Sequence, residues 1–299
     1  MSMNWTGVIP AMTTAFREDL SVDTEFVARH AAWMVDNGCT GIVVLGSLGE
    51  GATLTAAEKQ TVLRTTIKAL GSRAPVAAGI SALSTAEAVR LAKMAADEGC
   101  RGLMVLPPYV YSTDWREMKA HIVAILQATP LSCMLYNNPI AYKTDFLPEQ
   151  IRELARENLN LHAVKESSGD VRRVTAIKAI CGNRLAVLVG MDDAIVEGVR
   201  AGAVGWIAGL VNAFPQETMA LFNSAVAGQT RKADELYKWF LPLLRMDTVI
   251  KFVQLIKLVQ EQTGMGSERV RPPRLPVAGA ERRVVLDSLK HALKHRPKA

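Results

Sequence analysis

Lys165 closes the apolar run Leu161-His162-Ala163-Val164. A lysine at the end of a buried strand is a candidate nucleophile. Its ammonium ordinarily titrates near ~10.4, but lost hydration favours the neutral amine, which attacks carbonyls and imines. On position alone, pairing with a carboxylate is equally open. The adjacent Glu166 is a poor partner, because successive residues of a strand point to opposite sides. Three hydroxyls follow other apolar runs. Tyr136 ends Leu131-Ser132-Cys133-Met134-Leu135, Tyr109 follows Pro107-Pro108, and Ser47 lies within Gly46-Ser47-Leu48-Gly49-Glu50-Gly51. A phenol beside a Schiff-base lysine can shuttle protons between carbinolamine and substrate, and Ser47 could bridge Tyr136 and Tyr109 in a hydroxyl relay. Taken singly, Tyr136 also reads as a core aromatic bonded to backbone, and Ser47 as a turn residue. Gly46, Gly49 and Gly51 permit tight turns ahead of a helix. Amides in such a loop can hold a substrate carboxylate, although a plain turn explains the glycines equally well.

Other chemistries find little support. His30, His121, His162, His291 and His295 lack metal-ligand spacing, and His162, inside a strand run, is expected to pack in the core. Asp192-Asp193 could bind a cation but reads more naturally as a helix start. The sequence has no P-loop and no GxGxxG after its first apolar run, so neither metal nor cofactor is expected. Cys39, Cys100, Cys133 and Cys181 are far apart with no CxxC, as suits free thiols in a reducing compartment.

Eight short apolar runs must position these groups: 7–14, 41–46, 75–80, 102–106, 131–136, 161–165, 185–190 and 203–208. They read as strands buried on both faces of a parallel sheet. Helical patterns alternate with them. Asp23, Thr55 with Glu58, and Ser84 with Glu87 mark helix starts, and glycines at 38, 71, 99 and 202 mark helix ends. Eight such units predict a (β/α)8 TIM barrel over residues 1–227. A C-terminal helical appendage is expected over 228–299, with helices at 232–244, 248–262 and 281–295 and an extended connector at Arg271-Pro272-Pro273-Arg274-Leu275-Pro276. In such barrels the active site lies at the C-terminal ends of the strands, where Lys165, Tyr136, Ser47 and Tyr109 all fall.

The composition agrees with an enzyme of this build. The chain has 299 residues, of which 49% are hydrophobic and 21% charged, enough for a large core and too few polar tracts for extensive disorder. No apolar run reaches about 18 residues, and the N-terminus has no signal pattern, so a cytoplasmic protein with no membrane partner is expected. The formal charge of +6 sits partly in Lys290, Lys294, Arg296 and Lys298. These read as a solvated helix end rather than a nucleic-acid site.

The sequence resembles the dihydrodipicolinate synthase/N-acetylneuraminate lyase family of class I Schiff-base enzymes. The resemblance rests on Gly41-Ile42-Val43-Val44-Leu45-Gly46-Ser47-Leu48-Gly49-Glu50-Gly51, on Tyr136-Asn137-Asn138-Pro139 and on Val164-Lys165-Glu166-Ser167, with matching order from Gly7 to about Val226. It implies that Lys165 forms the Schiff base and that Tyr136 is the general acid/base, relaying protons with Ser47 and Tyr109. It also implies that the Ser47 and Leu48 amides hold the carboxylate of a small 2-oxo acid substrate, and that Asn138, Ser167, Gly190 and Ile207 line the pocket. A homotetramer built from dimers follows from it, with Tyr109 crossing the tight dimer interface. Three positions depart from the pattern. Leu48 replaces a threonine, Asn138 an apolar residue, and Ala141 an arginine that in dihydrodipicolinate synthases binds a substrate carboxylate. Loss of that bidentate donor argues against aspartate semialdehyde as the acceptor.

A finer resemblance rests on Tyr136-Asn137-Asn138-Pro139-Ile140-Ala141-Tyr142, on Gly205-Trp206-Ile207-Ala208-Gly209-Leu210-Val211-Asn212 and on Arg271-Pro272-Pro273. These are similar to family members of hydroxyproline breakdown, which convert 1-pyrroline-4-hydroxy-2-carboxylate to 2-oxoglutarate semialdehyde and ammonia. Dihydrodipicolinate synthesis, aldol cleavage or dehydration of 2-keto-3-deoxy sugar acids, and N-acetylneuraminate cleavage use the same electron sink and remain alternatives. A barrel that only binds a 2-oxo acid as a regulator is the non-enzymatic one.

Overall fold

Strands that are apolar on both faces need cover on both, and here they find it by pairing around a ring. The computed structural model describes residues 3–108 and 114–297. The strands are β1 (Gly7–Pro10), β2 (Ile42–Val44), β3 (Val76–Ile80), β4 (Gly102–Val105), β5 (Ser132–Asn137), β6 (Leu161–Glu166), β7 (Ala186–Val189) and β8 (Gly205–Ala208). All pair in parallel, in the order β1-β8-β7-β6-β5-β4-β3-β2. A parallel bridge between Ala11 and Val43, with the Met12 amide donating to the Val43 carbonyl at 2.9 Å, joins β1 to β2 and closes the ring. The fold is a (β/α)8 barrel.

The outer layer holds α1 (Thr24–Asp36), α2 (Ala56–Leu70), α3 (Thr85–Asp97), α4 (Trp115–Gln127), α5 (Pro139–Tyr142), α6 (Pro148–Glu157), α7 (Arg172–Cys181), α8 (Ile195–Arg200) and α9 (Pro215–Val226). The start signals operate as read. The Asp23 side chain accepts from the Phe26 amide, and Thr55 with Glu58 forms a complete capping box. Ser84 accepts from the Glu87 amide. The four-residue α5 is an extra turn between β5 and α6, with Asn138 as its cap.

Three further helices follow: α10 (Thr230–Leu244), α11 (Phe252–Gln262) and α12 (Gly279–Lys294). The second starts later than its periodicity suggests, because Arg245–Asp247 tightens into a 3-10 turn. These helices are tied to the barrel rim. Lys257 of α11, almost fully buried, donates to Glu50 at 2.8 Å and to the Thr14 carbonyl at 2.9 Å. From the connector, the Arg271 amide donates to Glu50 at 3.0 Å, and its guanidinium bonds the Leu20 and Thr53 carbonyls and Glu58. Arg296, expected in a solvated tail, is exposed and also pairs with Glu217 and stacks over Phe214. His162 departs from expectation. It is exposed and bonded to Ser132 Oγ at 2.7 Å, because it sits near the N-terminal end of β6, where the register with β5 shifts.

Candidate active site

Register decides which side chains meet, since in-register neighbours in a parallel sheet point to the same face. Tyr136 pairs with Lys165, Lys165 with Leu188, and Leu188 with Gly205. Two residues beyond Gly205, the buried Ile207 shares that inward face. The result is direct: Lys165 Nζ lies 4.0 Å from the centroid of the Tyr136 ring. Glu166 points away and accepts from Asn137 Nδ2 at 3.1 Å and from the Ser168 amide at 2.6 Å. The pairing of Lys165 with its neighbouring carboxylate does not form.

Lys165 is 6% exposed. Burial pulls its pKa down to about 8, against the opposing influence of the Asp247 and Asp192 carboxylates. Its stem lies on Gly190, where an added Cβ would fall 2.4 Å from Lys165 Cε and 2.1 Å from Ser167 Oγ. Glycine is therefore required there by the lysine itself. Ser167 is fully buried, and its hydroxyl finds no partner of good hydrogen-bond geometry among the described residues. Tyr136 is almost as buried, and burial pushes its pKa up to about 12, so it is a protonated phenol at neutral pH.

Tyr109 lies outside the described residues. Among the described residues, the hydroxyl that meets Ser47 is that of Tyr142, at the end of α5, through a hydrogen bond between the two side-chain oxygens. The rings of Tyr136 and Tyr142 stand edge to face, 5.7 Å apart at 85°. Asn138 joins both features. Its Nδ2 donates to the Tyr136 hydroxyl at 3.0 Å, while its Oδ1 accepts from the Ala141 amide at 3.0 Å.

The glycine loop works differently from its sequence reading. Left-handed backbone falls on Leu45 (φ 66°) and Glu50 (φ 51°), not on the glycines. Gly49 and Gly51 serve close approach: a Cβ would meet the Met12 carbonyl at 2.8 Å or the Leu45 carbonyl at 2.1 Å. The loop runs into a 3-10 turn, Gly51–Thr53, before α2. The Ser47 and Leu48 amides have no backbone acceptor among the described residues. The Leu48 side chain is buried.

Asp192 begins a 3-10 turn, Asp192–Ala194, but its side chain does not cap it. It is fully buried and accepts from Trp206 Nε1 at 2.8 Å, the Gly209 amide at 3.0 Å and the Leu210 amide at 2.7 Å. Burial raises its pKa to about 6 despite these donors. Asp247 lies against Gly209 so closely that a Cβ there would come 2.0 Å from its Oδ1. Burial, with Asp192 beside it, holds its pKa well above the carboxylate range. Sequence reasoning missed Asp247 and gave Tyr142 no role. Among the described residues, no cluster of three or more His, Cys, Asp or Glu side chains could hold a metal.

The model of the dihydrodipicolinate synthetase family matches residues 4–292. The chain belongs to this family. It is 31% identical over 287 residues to a 4-hydroxy-tetrahydrodipicolinate synthase of Agrobacterium fabrum, covering 96% of this chain and 98% of the relative. Among solved structures, it superposes with a TM-score of 0.90 and 28% identity on the chloride-inhibited dihydrodipicolinate synthase of Acinetobacter baumannii complexed with pyruvate, covering 97% of this chain and 99% of that one. The prophage protein YagE of E. coli K12, also in complex with pyruvate, gives a TM-score of 0.90 at 26% identity, with coverage of 96% and 98%. The protein is thus an enzyme, a Schiff-base lyase of the dihydrodipicolinate synthase type. The names of these relatives carry the synthase reading rather than the hydroxyproline one. No helix among the described residues is long and apolar enough to cross a membrane.

Proposed function

We propose that Lys165 forms a Schiff base with C2 of a small 2-oxo acid or its cyclic imine, with Tyr136 passing protons to and from the reacting atoms. The observation that carries this reading is the buried Lys165 amine over the Tyr136 ring, free of any ion pair with Glu166. The Ser47 and Leu48 amides, unused by the backbone around them, would hold the substrate carboxylate, and Asn138, Ser167, Gly190 and Ile207 would bound the pocket.

Within that chemistry, the substrate we assign is 1-pyrroline-4-hydroxy-2-carboxylate. Lys165 adds to C2, and the ring nitrogen, once protonated, leaves C2 as an amine. The iminium so formed draws electrons from C3, which loses a proton as the 4-hydroxyl departs as water. Elimination leaves a C3–C4 double bond; loss of a C5 proton and return of one to C3 move it to C4–C5, and the enamine so formed takes a proton at C4 to become the C5 imine. Hydrolysis there gives ammonia, and hydrolysis at C2 frees Lys165 and 2-oxoglutarate semialdehyde. Two features support this assignment. Asp192 and Asp247 act on Lys165 and would equally favour a protonated nitrogen beside it. The exposed Ala141 on α5 offers no donor to a second carboxylate such as that of aspartate semialdehyde.

The names of the relatives favour 4-hydroxy-tetrahydrodipicolinate synthesis as the second reading. Borohydride reduction with pyruvate should fix a covalent adduct on Lys165, and undiminished labelling of Lys165→Ala would refute the Schiff base. Ammonia release from the hydroxylated pyrroline, set against condensation of pyruvate with aspartate semialdehyde, decides between the two substrates. A homotetramer, with Tyr109 reaching a neighbouring subunit, belongs to the same proposal and is checked by sedimentation.

A further inference from the structure

Tyr136 cannot exchange many protons with water unaided, because it is 5% exposed. Its surroundings provide a route. Asn138 Oδ1 accepts from a backbone N–H, which can only donate, so the orientation of this amide is fixed. Its Nδ2 must then donate to the Tyr136 oxygen. That leaves the Tyr136 proton available to another acceptor. The Tyr142 hydroxyl is such an acceptor, in hydrogen-bonding reach of Tyr136 and bonded in turn to Ser47 Oγ. Exposure rises along the chain: Tyr136 is buried, whereas Ser47 and Tyr142 are both partly exposed at the barrel rim.

We infer that Tyr142 is a relay residue that reprotonates Tyr136, so that a route from the reacting atoms to solvent runs Tyr136, Tyr142, Ser47 within one chain. The inference rests on the Schiff-base reading of Lys165. The proton balance shows what the relay must do. When Nζ bonds to C2 of a 2-oxo acid, the carbonyl π pair becomes a lone pair on oxygen, which takes a proton from Tyr136. The new ammonium returns one proton to Tyr136. A second proton from Tyr136 then lets the C2–O bond break and water depart, leaving a protonated imine. Tyr136 has given two protons and received one. The missing proton reaches it through Tyr142 from Ser47 and solvent. Removing a C3 proton runs the same path outward.

Asn138 is the device that sets Tyr142 in place. A single amide holds the Tyr136 oxygen and caps the four-residue turn that ends in Tyr142. The spacing of the two tyrosines is thereby tied to the orientation of one side chain.

The test uses the full-length protein with pyruvate as probe. Exchange of its C3 protons in D2O is followed by NMR, and adduct formation by borohydride trapping. Tyr142→Phe keeps the ring and removes the relay. We expect full trapping of Lys165 at equilibrium, exchange slowed about 10- to 100-fold, and a pH profile of exchange displaced from that of the wild type. Tyr142→His, which restores a proton carrier, should recover part of the loss. Exchange in Tyr142→Phe within twofold of wild type, with an unmoved pH profile, overturns the relay. Should Tyr142→Phe fail to fold, Ser47→Ala breaks the outer end and is held to the same two outcomes. A wild type that forms no adduct refutes the Schiff-base reading itself, whereas an intact adduct with unaltered exchange in the variants refutes the relay alone.

Discussion

At the scale of single residues, the site depends on a lysine whose proton affinity is lowered by burial and on a glycine that makes room for it. With a pKa of about 8, about a tenth of Lys165 is neutral at pH 7. On the proposed mechanism the neutral form is the nucleophile, so the initial rate of adduct formation with pyruvate should rise about tenfold per unit at low pH and level off above about pH 8. Trapping rates measured from pH 5.5 to 9.5 check this, and a flat profile contradicts it. Gly190→Ala would drive a methyl group into Lys165 Cε and Ser167 Oγ. We expect at least a hundredfold slower trapping and a loss of about 1–3 kcal/mol in stability, read by urea unfolding. Lys165, Tyr136 and Ser47 were legible in the sequence because each ends or follows an apolar run, which places it at the strand ends where barrel chemistry occurs. Tyr142 was harder to read. It lies six residues beyond Tyr136, and only the tight turn over Pro139–Tyr142 folds it back against that ring. The glycine loop does form a tight turn ahead of α2, but the positive φ angles fall on Leu45 and Glu50, and Gly49 and Gly51 serve close approach instead.

At the scale of elements, the barrel was legible because burial on both faces leaves a plain mark, a run of apolar residues without alternation. The eight runs are the eight strands, with ends displaced by a residue or a few. Ionic contacts between elements leave no such mark. Glu50 and Lys257 are 207 positions apart, and nothing local in either segment announces that they meet. This pair fixes the glycine loop to α11, with both side chains essentially withdrawn from solvent. Removing Lys257 leaves the buried Glu50 with only the Arg271 amide at 3.0 Å and the more distant Arg274 at 3.8 Å, so Lys257→Met should cost about 3 kcal/mol. Replacing both, in Glu50→Gln/Lys257→Met, should cost less than the sum of the single variants. A double-mutant cycle in urea measures this coupling, and strict additivity would show that the pair does not hold the loop.

At the scale of the whole molecule, the barrel does not build its site alone. Asp247 comes from the turn between α10 and α11, after the last strand, and no strand-end rule points to it. Its carboxylate rests on Gly209 beyond β8 and acts on Lys165 together with Asp192. The C-terminal helices thereby help set the proton affinity of the nucleophile, and the sign of that influence is fixed by Coulomb's law. A nearby carboxylate favours the ammonium, raising the lysine pKa against the pull of burial. Asp247 is itself held partly in the neutral acid by burial and by Asp192; wherever it is ionised, Asp247→Asn removes that charge and keeps the shape, so adduct formation should reach its plateau at a lower pH. Near pH 8, where Lys165 titrates, the variant should therefore trap pyruvate faster than the wild type, even if its turnover of the true substrate is slower for want of a partner to the protonated nitrogen. Asp193→Asn is the comparison, because Asp193 adjoins the same turn and bears on Asp247 rather than directly on Lys165; its effect on the midpoint should be the smaller. A midpoint that stays put in Asp247→Asn, or that moves equally in Asp193→Asn, would confine the C-terminal helices to a supporting role.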